Sequence, residues 1–307
     1  MSNLEMLKRL ERPKGKIKAV LDTDAYNEID DQFAIAYALL APEKIDLLAL
    51  YAAPFFNSKS TSPEDGMEKS YDEIIKLLNL AERQDMIPKT FRGSKGYLPD
   101  EKTQVESAAA DDLIKQVRAL KEGEQLYVLA IGAITNVASA LIKAPEIGER
   151  IVVVWLGGNA WHMPTAREFN LSQDIAAARV VFDSSAALVQ LGCAGIVTHL
   201  ATNKPELEYW LKDINPLSNY LAENTIAEAE SYAAGKPWSR VIWDISAVAW
   251  VLDEDEKMMQ DRIDHRPIPE YDHYYSFDFR RPFMKYVWHI NRDTVFEDLF
   301  TRLRNIK

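Results

Sequence analysis

Short apolar runs alternate with amphipathic segments along the first two thirds of the chain. The runs are nearly continuous, as in strands that are buried on both faces, and lie at residues 17–21, 45–53, 126–131 and 151–156. The segments between them have apolar residues at helical spacing, at residues 33–39, 67–80, 108–120, 135–142 and 176–182. This alternation predicts an α/β fold: an open, mostly parallel sheet flanked by helices, with a Rossmann-like core.

The remaining segments are less regular. Residues 186–191 and 195–200 have the pattern of a strand pair, residues 271–290 are rich in aromatic residues and β-formers, and residues 84–103 resemble loops. Further helices are predicted at 206–211, 217–234, 246–252 and 294–303, and residues 1–15 form a polar leader. No internal repeat or linker interrupts the chain, so we expect a single domain over residues 1–307.

The turn after the first predicted strand carries five acidic residues within ten positions, Asp22, Asp24, Glu28, Asp30 and Asp31. Carboxylates at the end of a buried strand repel one another and resist desolvation. A bound hard cation compensates for both effects, because carboxylate oxygens suit calcium or magnesium. The alternative is a solvated turn in which an aspartate caps the next helix. That alternative explains one or two acids, but not Asp22 and Asp24 directly after the strand.

Two other polar features follow predicted apolar segments. The loop after residues 151–156 contains Asn159, His162, Glu168 and Asn170. Amides and a carboxylate suit a polyol ligand, although Glu168 or Asn170 could equally cap a helix. Asp244 is isolated within an apolar stretch and is either a helix cap or another metal ligand. Ligands of open α/β sheets bind beyond the carboxyl ends of the strands, so we expect the strand-end polar residues to line one pocket.

The composition limits the kinds of partner and the cellular location that we expect for the protein. The 307 residues are 47% hydrophobic and 27% charged, which is typical of globular proteins. The net charge of −11 argues against a nucleic-acid partner. The lone Cys193 excludes an intramolecular disulfide and a zinc-thiolate site, and its apolar neighbours predict a buried structural thiol. Without a long apolar run or a signal core, we expect no membrane partner and a cytoplasmic location.

Four segments occur in the order seen in the inosine-uridine-preferring nucleoside hydrolase family. They are the acidic turn, the Ile-Thr-Asn segment at 134–136, the GGN…EFN segment at 157–170, and the isolated Asp244. The chain resembles this family over roughly residues 16–255. The resemblance implies an eight-stranded, mostly parallel sheet, bound Ca²⁺, hydrolysis of the N-glycosidic bond of a nucleoside or nucleoside-like riboside, and a homodimer or homotetramer.

The resemblance also implies roles for the acids. Asp24, Asp31 and Asp244 match calcium ligands, and Ile131 stands where the family uses a backbone carbonyl as another ligand. Asp24 further matches the group that activates the attacking water, and Asp22 matches an acid that supports it from behind.

On the substrate side, Asp30, Glu168 and Asn170 match residues that hold the ribose, and Asn57 is another candidate. Leu156 takes the place of an apolar residue under the sugar. An oxocarbenium-like transition state would be favoured by the acidic pocket that these residues form.

Three departures from the family pattern concern specificity. The turn is two residues longer than usual, so Asn27 or Glu28 could reach the substrate. Trp243 replaces the histidine that protonates the leaving base in the pyrimidine-accepting branch, which favours purines through stacking. The loop before Glu168 is shorter, so His162 or Asn159 takes the place of its usual asparagine. A riboside-binding protein without catalysis, and a hydrolase of a modified sugar, remain alternatives.

Overall fold

The computed structural model describes residues 2–306 and contains an eight-stranded sheet with the order β3-β2-β1-β4-β5-β6-β12-β9. Its strands are β1 (Ile17–Thr23), β2 (Ile45–Ala52), β3 (Thr90–Arg92), β4 (Leu126–Ala130), β5 (Ile151–Leu156), β6 (Ala187–Leu191), β9 (Met259–His265) and β12 (Phe283–Ile290). All neighbours pair in parallel except β9, which runs antiparallel to β12 at one edge. The predicted fold class is therefore confirmed.

Two small sheets pair β7 (Ala201–Thr202) with β8 (Arg240–Val241), and β10 (Ile268–Pro269) with β11 (Tyr275–Ser276).

Helices cover both faces of the large sheet, because successive strand residues point to opposite sides. Leu21 packs into the apolar cluster of one face and Val20 into that of the other. The helices are α1 (Asn3–Arg9), α2 (Asp31–Leu39), α3 (Pro63–Leu80), α4 (Ala108–Arg118), α5 (Thr135–Lys143), α6 (Phe169–Gln173), α7 (Ile175–Asp183), α8 (Lys204–Leu211), α9 (Pro216–Ala233), α10 (Ile245–Leu252) and α11 (Arg292–Arg304). The first cluster includes α2, α10 and α11, and the second includes α4, α5 and α7. None of the helices within residues 2–306 combines the length and apolarity needed to cross a bilayer.

The predicted strand at residues 195–200 is wrong. The segment forms a turn at Gly195, whose φ is +91°, and then the short 3₁₀ helix Val197–His199. The place beside β6 that this strand would need is taken by β12, with Lys285 opposite Val189.

Two edge strands were not predicted. The strand β3 lies inside the segment that was expected to be loop-rich. The strand β9 has the sequence MQDRIDH, so its partly exposed residues give no apolar alternation to detect.

The amino-terminal segment is more ordered than a polar leader. It forms α1, and the buried Arg12 that follows makes ion pairs of 2.9 Å with both Asp253 and Asp261. Asp261 also pairs with Lys285 on β12, at 2.7 Å. These contacts attach the start of the chain to the end of α10 and to the β9 edge of the sheet.

Candidate active site

The polar strand-end residues converge on one cavity at the carboxyl edge of the sheet. Its volume is about 240 Å³, and it lies beyond the ends of β1, β4 and β5. The sheet order reverses here, because β2 lies on one side of β1 and β4 on the other. The residues that line it are Asp24, Asn27, Glu28, Asp30, Asp31, Ile131, Leu156, Asn159, Glu168, Phe169, Asn170, Cys193, Ala194, Trp243 and Asp244.

Three buried carboxylates meet at the cavity floor. Asp30, Asp31 and Asp244 each offer an oxygen within 4.8 Å of the others. Asp30 and Asp31 lie at the start of α2, and Asp244 lies at the start of α10. Across residues 2–306, neither Asp30 nor Asp244 makes a side-chain capping hydrogen bond to its helix. Helix capping therefore does not account for these acids.

A bound cation would stabilise the ionised forms of these three buried carboxylates. Burial and the neighbouring carboxylates raise the pKa of Asp30 and Asp244 well above the ordinary range, and burial raises the pKa of Asp31 to about 6. The Thr23 hydroxyl donates to Asp31, and the Trp243 backbone N–H donates to Asp30 Oδ2 at 3.1 Å. The chemistry of the group fits a hard divalent cation, and the group could bind a metal.

Asp24 lies beside this group, with 1% of its surface exposed. Its Oδ2 atom has no hydrogen-bond partner in the described part of the chain. Burial and the charge of Asp31 raise the pKa of Asp24 well above its usual value. The close approach of Gly132 confines this carboxylate, because a Cβ on that glycine would lie 2.8 Å from Asp24 Oδ1.

The three-carboxylate group differs from the predicted ligand set. Asp30, expected on the ribose, belongs to the group, whereas Asp24 lies outside it. The cause is the turn geometry, which places Asp30 and Asp31 together at the helix start and Asp24 at the strand end. The Ile131 carbonyl faces the same cavity and accepts a hydrogen bond from Asn170 Nδ2 at 3.0 Å.

Asp22 lies behind the cavity and does not line it. Its Oδ1 accepts from Asn136 Nδ2 at 2.7 Å, and Asn136 Oδ1 accepts in turn from the Ser94 backbone N–H at 2.7 Å. Burial raises the pKa of Asp22 to about 7. The supporting role of Asp22 stays a prediction.

Glu168 and Asn170 form the wall opposite the acidic turn. The Glu168 carboxylate caps α6, accepting backbone N–H bonds from Gly158, Asn170 and Leu171 at 2.8, 2.8 and 3.0 Å. Asn170 Nδ2 also donates to the Leu156 carbonyl at 3.0 Å. The capping interpretation of Glu168 is thus correct, and its side chain nonetheless lines the cavity.

Two predicted substrate residues do not line the cavity. His162 is exposed and lies in the loop that Asn159 Nδ2 spans by donating to the carbonyls of Thr165 and Arg167 at 3.1 and 2.8 Å. Asn57 lies outside as well and supports Asn27, whose Oδ1 accepts from Asn57 Nδ2 at 2.6 Å.

Three lining residues were not predicted as part of the site. Phe169 and Ala194 are apolar neighbours of predicted residues, and nothing in their own spacing distinguishes them. Cys193 is buried, as expected, but it also lines the cavity, near Glu168. The position of Phe169 between Glu168 and Asn170 was the one available signal.

The longer turn and Trp243 shape the remaining wall. Asn27 and Glu28 both face the cavity, as does Trp243. The Glu28 carboxylate is ion-paired with Arg240, which also lies 3.2 Å from Glu228. This ion pair attaches the acidic turn to the segment that leads into α10.

A parallel sheet with buried acids at its switch point, facing a carboxylate and an amide, defines a sugar-binding hydrolase site with a candidate metal centre. The family model described as "Inosine-uridine preferring nucleoside hydrolase" matches residues 19–275, and the chain belongs to this family. It is a hydrolase of N-glycosyl bonds.

Curated relatives and solved structures agree with this assignment. The chain is 27% identical to the pyrimidine-specific ribonucleoside hydrolase RihA of Salmonella paratyphi A, over 73% of this chain and 76% of the relative. The purine-preferring ribonucleoside hydrolase from Gardnerella vaginalis has a TM-score of 0.73 at 19% identity, covering 94% of this chain and 98% of that one. The type III effector protein XopQ, solved with adenosine diphosphate ribose, has a TM-score of 0.69 at 14% identity, covering 99% and 98%.

Proposed function

We propose that the protein hydrolyses the N-glycosidic bond of a ribonucleoside, in a calcium-dependent reaction that releases the base and ribose. The observation that carries the proposal is the buried Asp24 carboxylate, whose Oδ2 has no partner within residues 2–306, beside the group of Asp30, Asp31 and Asp244. Calcium is the ion that the family resemblance implies, and the oxygen donors of the site, including the Ile131 carbonyl, are compatible with it. A cavity of about 240 Å³ lies at the small end for ligand sites and suits one nucleoside better than a dinucleotide.

The chain's own residues supply the remaining chemistry. When bound, the calcium ion would fix the ribose hydroxyls and lower the pKa of a nearby water. Asp24 accepts the proton of the attacking water, since its Oδ2 has no competing donor in the described residues and its pKa is raised. The surrounding carboxylates stabilise the positive charge that develops on the sugar.

Trp243 lines the cavity next to Asp244, and we expect the base to leave on this side. An indole stacks on a flat base but donates no catalytic proton, which favours a purine. The purine-preferring and pyrimidine-specific proteins named above are both similar to this chain, so their names do not select a base, and the proposed purine preference rests on Trp243 alone.

Ribose release from a nucleoside panel, with and without calcium, tests the proposal. Asp24→Asn should lower kcat by about 10²- to 10⁴-fold, the usual contribution of a general base. Asp46→Asn, which removes an exposed acid on β2, serves as the matched control and should leave kcat unchanged. Nucleoside binding measured by calorimetry without any ribose release would instead establish a binding protein.

A further inference from the structure

Asn27 lies in the longer turn and lines the cavity, and a chain of hydrogen bonds fixes the orientation of its side-chain amide. The Lys59 backbone N–H donates to Asn57 Oδ1 at 2.8 Å. Because a backbone N–H can only donate, the other arm of the Asn57 amide must be its NH2 group. This Nδ2 atom donates to Asn27 Oδ1 at 2.6 Å. A reversed Asn27 amide would set two donors against each other.

This orientation leaves the Asn27 NH2 group available to a ligand. Asn27 is buried, and its Nδ2 makes no hydrogen bond to any of the residues that the structure describes. A buried donor without a partner costs free energy, so a ligand that brings an acceptor is favoured. Because the amide cannot turn over without losing its contact with Asn57, the cavity presents a donor of fixed polarity at this position.

We propose that Asn27 is a specificity-determining residue that selects ribosides with a carbonyl group, rather than an amino group, on the base. This inference rests on the proposed function, with the base on the Trp243 side. The Glu28 carboxylate, next to Asn27 in the turn, is ion-paired with Arg240. Arg240 lies three residues before Trp243, which brings the turn to that side of the cavity.

The polarity of the donor distinguishes two purines. The O6 atom of hypoxanthine accepts a hydrogen bond from the Asn27 NH2 group. The N6 amino group of adenine would instead place a donor against a donor, and such a mismatch rejects the wrong ligand. The preferred substrate is therefore inosine rather than adenosine, and Asn57 acts as the positioning residue that fixes this preference.

The variant Asn57→Asp tests the inference without changing a residue that lines the cavity. The ionised carboxylate can still accept from the Lys59 N–H but cannot donate to Asn27, whose amide should turn over and present its oxygen to the cavity. We expect the ratio of kcat/KM for inosine to kcat/KM for adenosine to fall at least about tenfold, as for a buried polar group left unsatisfied. Comparing this ratio between enzymes cancels the different intrinsic reactivities of the two nucleosides.

A second variant and a control complete the experiment. Asn27→Asp should lower the same ratio, because Asn57 Nδ2 holds one carboxylate oxygen and the other is an acceptor in the cavity. Ser58→Asp adds the same charge at an exposed neighbouring position and should leave the ratio unchanged. A ratio that is unchanged in either folded variant, or that falls equally in Ser58→Asp, would overturn the inference while leaving nucleoside hydrolysis intact. Absence of ribose release from every riboside with the wild-type enzyme would instead remove the proposed function itself.

Discussion

Substitution of Gly132 by alanine tests whether the confinement of Asp24 matters for catalysis. A Cβ at this position would lie 2.8 Å from Asp24 Oδ1 and 3.1 Å from Ala53 Cβ. The carboxylate must retreat to at least the 3.4 Å of ordinary contact, while the Ala53 methyl group gives way by a few tenths of an ångström. The first adjustment displaces the proposed base, and we expect both to leave the fold in place.

The expected effects of Gly132→Ala on stability and on kcat differ in size. The carboxylate is the free end of a side chain, so the stability cost should stay near the low end for overpacking, about 1 kcal/mol. Displacement of a catalytic group by up to 1 Å costs about 10²-fold in rate, so we expect kcat to fall by roughly 10- to 100-fold.

The assay is ribose release at saturating nucleoside and calcium, with the melting temperature measured alongside. Gly96→Ala is the matched control, because a Cβ there meets nothing within 4 Å. A Gly132→Ala enzyme with wild-type kcat would refute the argument that this glycine leaves room for the catalytic carboxylate. A large loss of stability would show that the backbone, rather than Asp24, had moved.

Three further predictions concern stability, ion binding and the thiol. Arg12→Ala should cost about 3–5 kcal/mol in urea unfolding, because it removes the ion-pair partner of buried Asp253 and one of the two ion-pair partners of Asp261, whereas Arg118→Ala on the surface should cost about 1 kcal/mol or less. Chelator-treated protein should be more stable at pH 5.5 than at pH 7.5, because the raised pKa of Asp31, about 6, makes stability fall as pH rises through that value; added calcium should remove the difference, which melting scans can check. Burial raises the pKa of the Cys193 thiol, so iodoacetamide at pH 8 should label the unfolded chain and spare the native one; rapid native labelling would contradict the buried, protonated state.

The sequence predicted the central sheet well because its inner strands are buried on both faces. The run at Ile151–Leu156, for example, is fully apolar and appears as β5 with every residue buried. The edge strand β9 was not predicted because all of its residues except Met259 are exposed or half-buried, so they need no apolar pattern. The segment at 195–200 has strand composition, but the parallel pairing of β12 with β6 leaves no place for it.

The sequence predicted which residues line the site better than it predicted how they are arranged there. Asp24, Asp31 and Asp244 all face one cavity, because acids that follow strands or open helices at one sheet edge must meet there. Their division into a three-carboxylate group and a separate Asp24 depends on the turn conformation, which spacing does not specify. His162 lies in a loop that Asn159 spans with two hydrogen bonds, contacts that only the folded loop reveals.

Calorimetric titration of the chelator-treated protein with calcium tests most directly whether Asp30, Asp31 and Asp244 together bind an ion. We expect one calcium site per chain. Its affinity should fall at least about tenfold in Asp244→Asn, since removal of even an outer-shell partner typically costs that much. Asp46→Asn should bind calcium as the wild-type protein does. Calcium binding that is absent in the wild-type protein, or equally tight in Asp244→Asn, would contradict the proposed metal centre.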